Sequence, residues 1–173
     1  MRALVLPLAS LLACGGPAVV AAPSLARVSW MDRAYALFER SFTFQRGRYA
    51  DSERVLTLAA PLYLDVTGDG AVDALVPLQI DEAETATEQG NPRFHTFLVH
   101  TVVDGAVVHL GELPLMTCGP LRAELEDGWL RITSTRRGRP EDMCGGAARS
   151  IRYRWNGAWF VTEDGDELER RLP

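Results

Sequence analysis

The chain contains no lysine: all 18 basic residues among its 173 are arginine. No fold requires that bias, and we read it as genome composition. Basic residues are also outnumbered, 18 against 23 acidic, for a net charge of −5. Loss of a leader carrying Arg2 takes the balance to −6. An acidic chain lacks the cationic surface that displaces counterions from phosphates, which argues against non-specific nucleic-acid binding, and no nucleic-acid partner is expected. No apolar run reaches the roughly 20 residues that span a bilayer as a helix. There is no Cys-x-x-Cys, which argues against a dithiol redox site. Neither a Gly-x-Ser-x-Gly elbow, a His-Glu-x-x-His pair, a P-loop nor a Gly-x-Gly-x-x-Gly loop occurs, so the common hydrolase, zinc-protease and nucleotide-binding signatures are missing.

What is present begins with a leader. Met1-Arg2 is a short positive start, and Ala3 to Ala13 (ALVLPLASLLA) is apolar. That length suits the core of a signal peptide. It ends in Leu11-Leu12-Ala13-Cys14, which resembles a bacterial lipobox, with Leu12 bulkier than the usual small residue there. The resemblance implies that Cys14 carries the lipid and becomes the mature N-terminus. The product would then be an exported lipoprotein of the periplasm or outer cell envelope, held to the membrane through Cys14. The alternatives are cleavage after Ala22, which yields a soluble secreted product, and an uncleaved anchor from Ala3 to Ala22 interrupted by Gly15-Gly16-Pro17. We assign residues 1–22 to the leader, 28–165 to one mostly β domain and 166–173 to a flexible tail. A domain of about 150 residues is large enough to bury a substantial core.

The three cysteines are Cys14, Cys118 and Cys144. With Cys14 removed or lipidated, Cys118 and Cys144 are expected to pair in an oxidising compartment. A redox or nucleophilic thiol is the alternative, but neither has a histidine close in sequence.

Trp30 to Arg40 reads as an N-terminal helix. Met31, Ala34, Tyr35, Phe38 and Phe42 recur at helical spacing, and Ser29 with Asp32 can form a capping box. From Val55 onward the chain reads as strands. Asp104-Gly105, Asp127-Gly128 and Asn156-Gly157 each predict a two-residue hairpin turn. The turns set registers: His100 opposite His109, Leu125 opposite Leu130 with Glu124 opposite Arg131, and Tyr153 opposite Phe160 with Arg154 opposite Trp159. Asp81 to Pro92 is an acidic stretch expected as an exposed loop, and Arg136-Arg137-Gly138-Arg139 a solvated basic one. The expected fold is mainly β, α+β only by its one N-terminal helix. Its antiparallel hairpins would form a small sheet, a sandwich or an open barrel.

The densest chemical signal is Asp65-Val66-Thr67-Gly68-Asp69-Gly70-Ala71-Val72-Asp73. Calcium takes oxygen ligands from a curved loop. Asp65, Thr67, Asp69 and Asp73 stand at loop positions one, three, five and nine, and Ala71 offers its carbonyl from seven. The segment resembles the FG-GAP/VCBS loop, D-x-[DN]-x-D-G-x-x-D, which implies a calcium loop between strands. It departs from that pattern at Thr67, and no second copy follows. Val76 occupies the place of an EF-hand's bidentate glutamate. The alternative is metal-free: Asp69-Gly70 turns a simple hairpin with Leu64 opposite Leu75. The T-G-D-G turn, the cysteine pair and the late Tyr153-to-Gly157 segment (Tyr-Arg-Trp-Asn-Gly) are together similar to LppP/LprE-type envelope lipoproteins, which implies a cell-envelope protein without known enzymatic activity. His100 and His109 are two candidate ligands for zinc or copper, but no third is evident and zinc sites usually need three or four. His95 falls on the opposite face by alternation. The expected function is a non-enzymatic cell-envelope domain of unknown protein partner, with calcium as the one candidate cofactor. An inhibitor of an extracellular hydrolase and an unfamiliar enzyme are the alternatives.

Overall fold

A computed structural model describes residues 24–83, 93–117, 121–134 and 150–164. Cys14, Cys118 and Cys144 lie outside these residues, as do the basic cluster at 136–139, residues 84–92 of the acidic stretch and the tail at 166–173.

The described chain is β almost throughout, in antiparallel sheets none of which closes into a barrel. Its one helical element is a 3-10 turn, Leu25–Arg27. The expected helix over Trp30 to Arg40 is absent, and a hairpin takes its place: β1 (Ala34–Leu37) and β2 (Arg40–Thr43), with Leu37 opposite Arg40. Phe38 and Glu39 turn it with positive φ angles of 52° and 60°. Side-chain burial explains the outcome. Tyr35 and Leu37 are buried while Ala34 and Ala36 are exposed, and Phe42 and Phe44 continue the alternation beyond the turn. That is period two, and it wins over the looser helical spacing. Asp32 caps no helix; its Oδ1 accepts the Arg46 N–H at 2.7 Å.

The central sheet has the order β3-β4-β6-β7-β8, with β5 also paired to β6. Its strands are β3 (Arg48–Ala50), β4 (Arg54–Leu58), β5 (Leu62–Leu64), β6 (Asp73–Glu82), β7 (Arg93–Val103) and β8 (Ala106–Thr117). β6 runs two residues into the stretch expected to be a loop: Asp81 lies opposite Val55 and accepts a hydrogen bond from Gln79 Nε2 at 2.6 Å. Pro77 sits inside this central strand, where a missing N–H normally costs a ladder bond. Its carbonyl accepts from Ala59, at the break between β4 and β5, so its nitrogen faces a gap in the ladder.

Alternation along these strands sends side chains to two cores. Leu56, Leu58, Ala74, Val76, Leu78 and Leu98 pack under the N-terminal segment with Leu25, Trp30, Tyr35, Leu37, Phe42 and Phe44. Leu75, Phe97, Val99 and Leu113 face the other way and pack against a four-stranded sheet through Leu130, Ile132, Tyr153 and Phe160. That second sheet has the order β12-β11-β10-β9: β9 (Leu121–Glu126), β10 (Trp129–Ser134), β11 (Ser150–Trp155) and β12 (Phe160–Thr162). The result is a sandwich of two sheets with the β1–β2 hairpin covering the outer face of the larger one.

Two of the three sequence-based registers match. His100 stands opposite His109 and Val103 opposite Ala106; Leu125 stands opposite Leu130 and Glu124 opposite Arg131. The third is shifted by two residues, with Tyr153 opposite Thr162 and Trp155 opposite Phe160. The turn there holds four residues, because Asn156 Oδ1 accepts the N–H groups of both Ala158 and Trp159 at 3.0 Å. An asparagine that satisfies the backbone locally lengthens the loop. Arg154 consequently leaves Trp159 and stacks over Trp129, 4.6 Å from the ring centre. A register irregularity also falls between Val99 and His100: Val99 stands opposite Gly111, and His100 opposite His109, leaving Leu110 as an extra residue on β8.

Candidate functional site

The loop from Asp65 to Asp73 joins β5 to β6. Leu64 lies opposite Asp73, not Leu75, so the two-residue hairpin at Asp69-Gly70 is overturned and eight residues, 65–72, make the turn. The reason is again side-chain capture of backbone donors. Asp65 accepts the N–H of Gly68 on Oδ1 (2.8 Å) and of Gly70 on Oδ2 (2.9 Å). Asp69 Oδ1 accepts Ala71 N–H at 2.8 Å. Asp73 Oδ2 accepts both Val66 and Thr67 N–H groups at 2.9 Å. Gly68 and Gly70 take positive φ angles of 75° and 86°, where an L side chain is strained.

Asp73 is wholly buried, and its Oδ1 has no hydrogen-bond partner. The Thr67 hydroxyl is buried and unpartnered as well. Buried oxygens in this state cost stability unless something meets them. Asp65, Thr67, Asp69, Ala71 and Asp73 therefore share one loop, as their spacing requires, and two of their oxygens stand open. Among the described residues, however, no three Asp, Glu, His or Cys side chains converge to hold a metal ion. A cation here would draw on the Asp73 and Thr67 oxygens, on carbonyls such as that of Ala71, and on the remaining lone pairs of Asp65 and Asp69, since each carboxylate has about four acceptor sites. As a calcium site it would be weak and partly backbone-built.

The histidines form a second polar cluster. The His100 and His109 ring centres are 4.8 Å apart. His95 lies opposite Gln79 and Leu115, on the other face from His100 by strand parity. His109 Nε2 lies 3.0 Å from Glu112 Oε1. Sequence reasoning missed what surrounds His100, because it read residues 30–40 as a helix. Trp30 packs 4.9 Å and Tyr35 5.8 Å from the His100 ring. Trp30 Nε1 donates to Leu25 O at 3.1 Å, and Tyr35 Oη donates to Trp30 O at 2.7 Å. The Arg33 guanidinium lies 5.3 Å from both aromatic rings. Burial pushes the His100 pKa down to about 3, aided by the nearby His109 and Arg33. Burial likewise raises Tyr35 to about 12. His100 is thus a neutral core histidine.

No family model, no curated protein and no solved structure matches this chain.

Proposed function

We propose that this chain is a non-enzymatic domain of the cell envelope, anchored by a lipid on Cys14 and stabilised by calcium in the 65–73 loop. The anchor rests on the leader: the positive start, the apolar run and the lipobox-like Leu11-Leu12-Ala13-Cys14. The observation that carries the calcium reading is Asp73, a fully buried carboxylate with one oxygen unpartnered, in the same loop as an equally unpartnered Thr67 hydroxyl. A buried carboxylate oxygen without a partner favours a cation, and the flanking Asp65 and Asp69 add negative field. Thr67 brings no charge, so the affinity belongs in the millimolar range of extracellular modules. A Cys118–Cys144 bond would complete a domain built for the oxidising side of a membrane.

Two measurements test the reading. Intact-mass analysis of protein made in a bacterial host should show diacylglyceryl-modified Cys14 as the first residue; a product starting at Pro23 overturns the anchor. Calcium should raise the melting temperature of the wild type and leave Asp69→Ala unmoved. At a hundredfold excess over Kd the gain is about 2.7 kcal/mol. A melting curve indifferent to ten millimolar calcium overturns the metal site and leaves the loop as a turn closed by its own carboxylates.

A further inference from the structure

Among the described residues, most of the exposed large hydrophobic side chains lie at one end of the central sheet. Tyr63, Ala74, His100 and His109 stand side by side across β5, β6, β7 and β8. Just beyond that row the sheet ends in the 65–72 loop and the Val103-to-Ala106 turn. Seven large hydrophobic residues are exposed among the described residues, and five of them gather here: Leu62, Tyr63, Val72, Val103 and Val108. Val72 and Val103 are the most exposed of all, at 58% and 49%. Both stand at turns, where solubility favours polar residues. Scattered apolar residues need no explanation, but a concentration at one edge marks a contact surface.

The N-terminus enters at this same end. Tyr63 Oη lies 3.5 Å from Leu25 O, its acceptor in the first described turn of the chain. Between Cys14 and Leu25 there are ten residues, Gly15 to Ser24. Such a tether reaches at most roughly 36 Å when fully extended. A lipid on Cys14 would therefore hold the domain within that distance of the bilayer, attached at this end. At the opposite end, where Arg54 lies opposite Glu82 in register, the described residues include an ion pair between Arg40 and Glu53.

We infer that the end of the central sheet bearing Val72 and Val103 docks onto the phospholipid surface to which the chain is tethered. The inference rests on the reading of Cys14 as the lipid-bearing residue. Tethering raises the local concentration of the bilayer, so a few shallow apolar contacts suffice for occupancy that a free domain would not reach. Val72, Val103 and Tyr63 enter the interfacial region. Asp104 sits among the headgroups, where the ammonium group of phosphatidylethanolamine complements it.

The test uses full-length protein processed in a bacterial host, purified from membranes and reconstituted in phosphatidylethanolamine–phosphatidylcholine vesicles. Single substitutions Val72→Cys, Val103→Cys, Glu53→Cys and Trp159→Cys each carry an environment-sensitive fluorophore, and a nitroxide-headgroup lipid is the quencher. Intact mass first establishes acylation of Cys14. We expect quenching at positions 72 and 103 at least threefold greater than at 53 and 159, with blue-shifted emission. Val72→Asp should reduce quenching at position 103 to the level of the controls. Acylated protein with equal quenching at all four positions, or stronger quenching at 53, overturns the docking and leaves the anchor standing. Protein without the acyl chain overturns the anchor itself, and the tether argument falls with it.

Discussion

His100 and His109 face each other across the β7–β8 hairpin, yet only one of them is buried: His100 is 4% exposed, while the His109 side chain keeps 31% and reaches Glu112. The asymmetry has an energetic consequence. The folded His100 takes a proton only near pH 3, whereas in the unfolded chain it does so near the ordinary histidine value of 6.5. Between those values the unfolded state holds the extra proton, so stability falls as pH falls from 6.5 towards 3 and is unaffected by this residue above 6.5. From pH 6.5 to pH 5, where ordinary carboxylates titrate little, the loss is about 2 kcal/mol. His100→Phe should remove that slope. Urea unfolding of both proteins at pH 7 and pH 5 checks it; equal pH dependence would mean that the histidine does not stay neutral in the core.

Asp73 supports the loop whether or not calcium binds. Asp73→Ala strips the acceptor from Val66 and Thr67 N–H groups, of which Val66 is buried. Leaving such donors unmet costs roughly 1–3 kcal/mol each, so a loss of about 3–4 kcal/mol is expected. Asp73→Asn retains an acceptor oxygen and should lose clearly less. Chemical denaturation of the pair separates hydrogen-bond acceptance from charge.

Gly47 is pinned from three directions. Its φ is 76°, its N–H donates to Met31 O at 2.8 Å, and its carbonyl accepts Leu58 N–H at 2.7 Å. A Cβ there would stand 2.2 Å from Met31 Cε and 3.2 Å from Leu58 O. Met31 can swing aside, but the backbone carbonyl and the left-handed conformation cannot relax together. Gly47→Ala should cost about 2–3 kcal/mol from strain and crowding. Gly47→Ala combined with Met31→Ala should recover only the part due to the methionine, as denaturation midpoints will show.

Arg154 and Trp129 should be energetically coupled. A double-mutant cycle with Arg154→Gln and Trp129→Leu should give about 0.5–1 kcal/mol, the range for an exposed cation–π contact. The same cycle with Trp159 in place of Trp129 should give nothing, which also checks the four-residue turn that moved the register.

The parts of the fold legible in the sequence were those in which a turn signal and strand alternation agreed. Asp104-Gly105 and Asp127-Gly128 set their registers because both residues of each turn hold φ between 50° and 78°, the conformation those dipeptides favour. Asn156-Gly157 misled because asparagine has two uses: it tolerates a left-handed turn, and it also caps backbone donors. Here the second prevailed. Asp65 and Asp73 misled in the same way, since a two-residue turn at Asp69-Gly70 ignores the five N–H groups that the loop carboxylates collect. The β1–β2 hairpin gave almost no local sign of itself. Phe38 and Glu39 are poor residues for positive φ, and tertiary packing of Tyr35, Leu37, Phe42 and Phe44 imposes the turn on them. The aromatic surroundings of His100 were hidden for that reason. At the candidate site, spacing revealed which residues share the loop, but which oxygens stay open is a matter of three-dimensional hydrogen bonding.

The extra residue on β8 acts on the strand as a frameshift acts on a message. Ahead of it, Val107 and His109 are read toward the N-terminal layer; behind it, Gly111 and Leu113 are read toward the second sheet. One inserted residue moves the odd-numbered positions from one core to the other along a single strand. Deleting Leu110 would close the bulge and leave every flanking pair in place, His109 opposite His100 and Gly111 opposite Val99, so the faces would survive and only the kink would go.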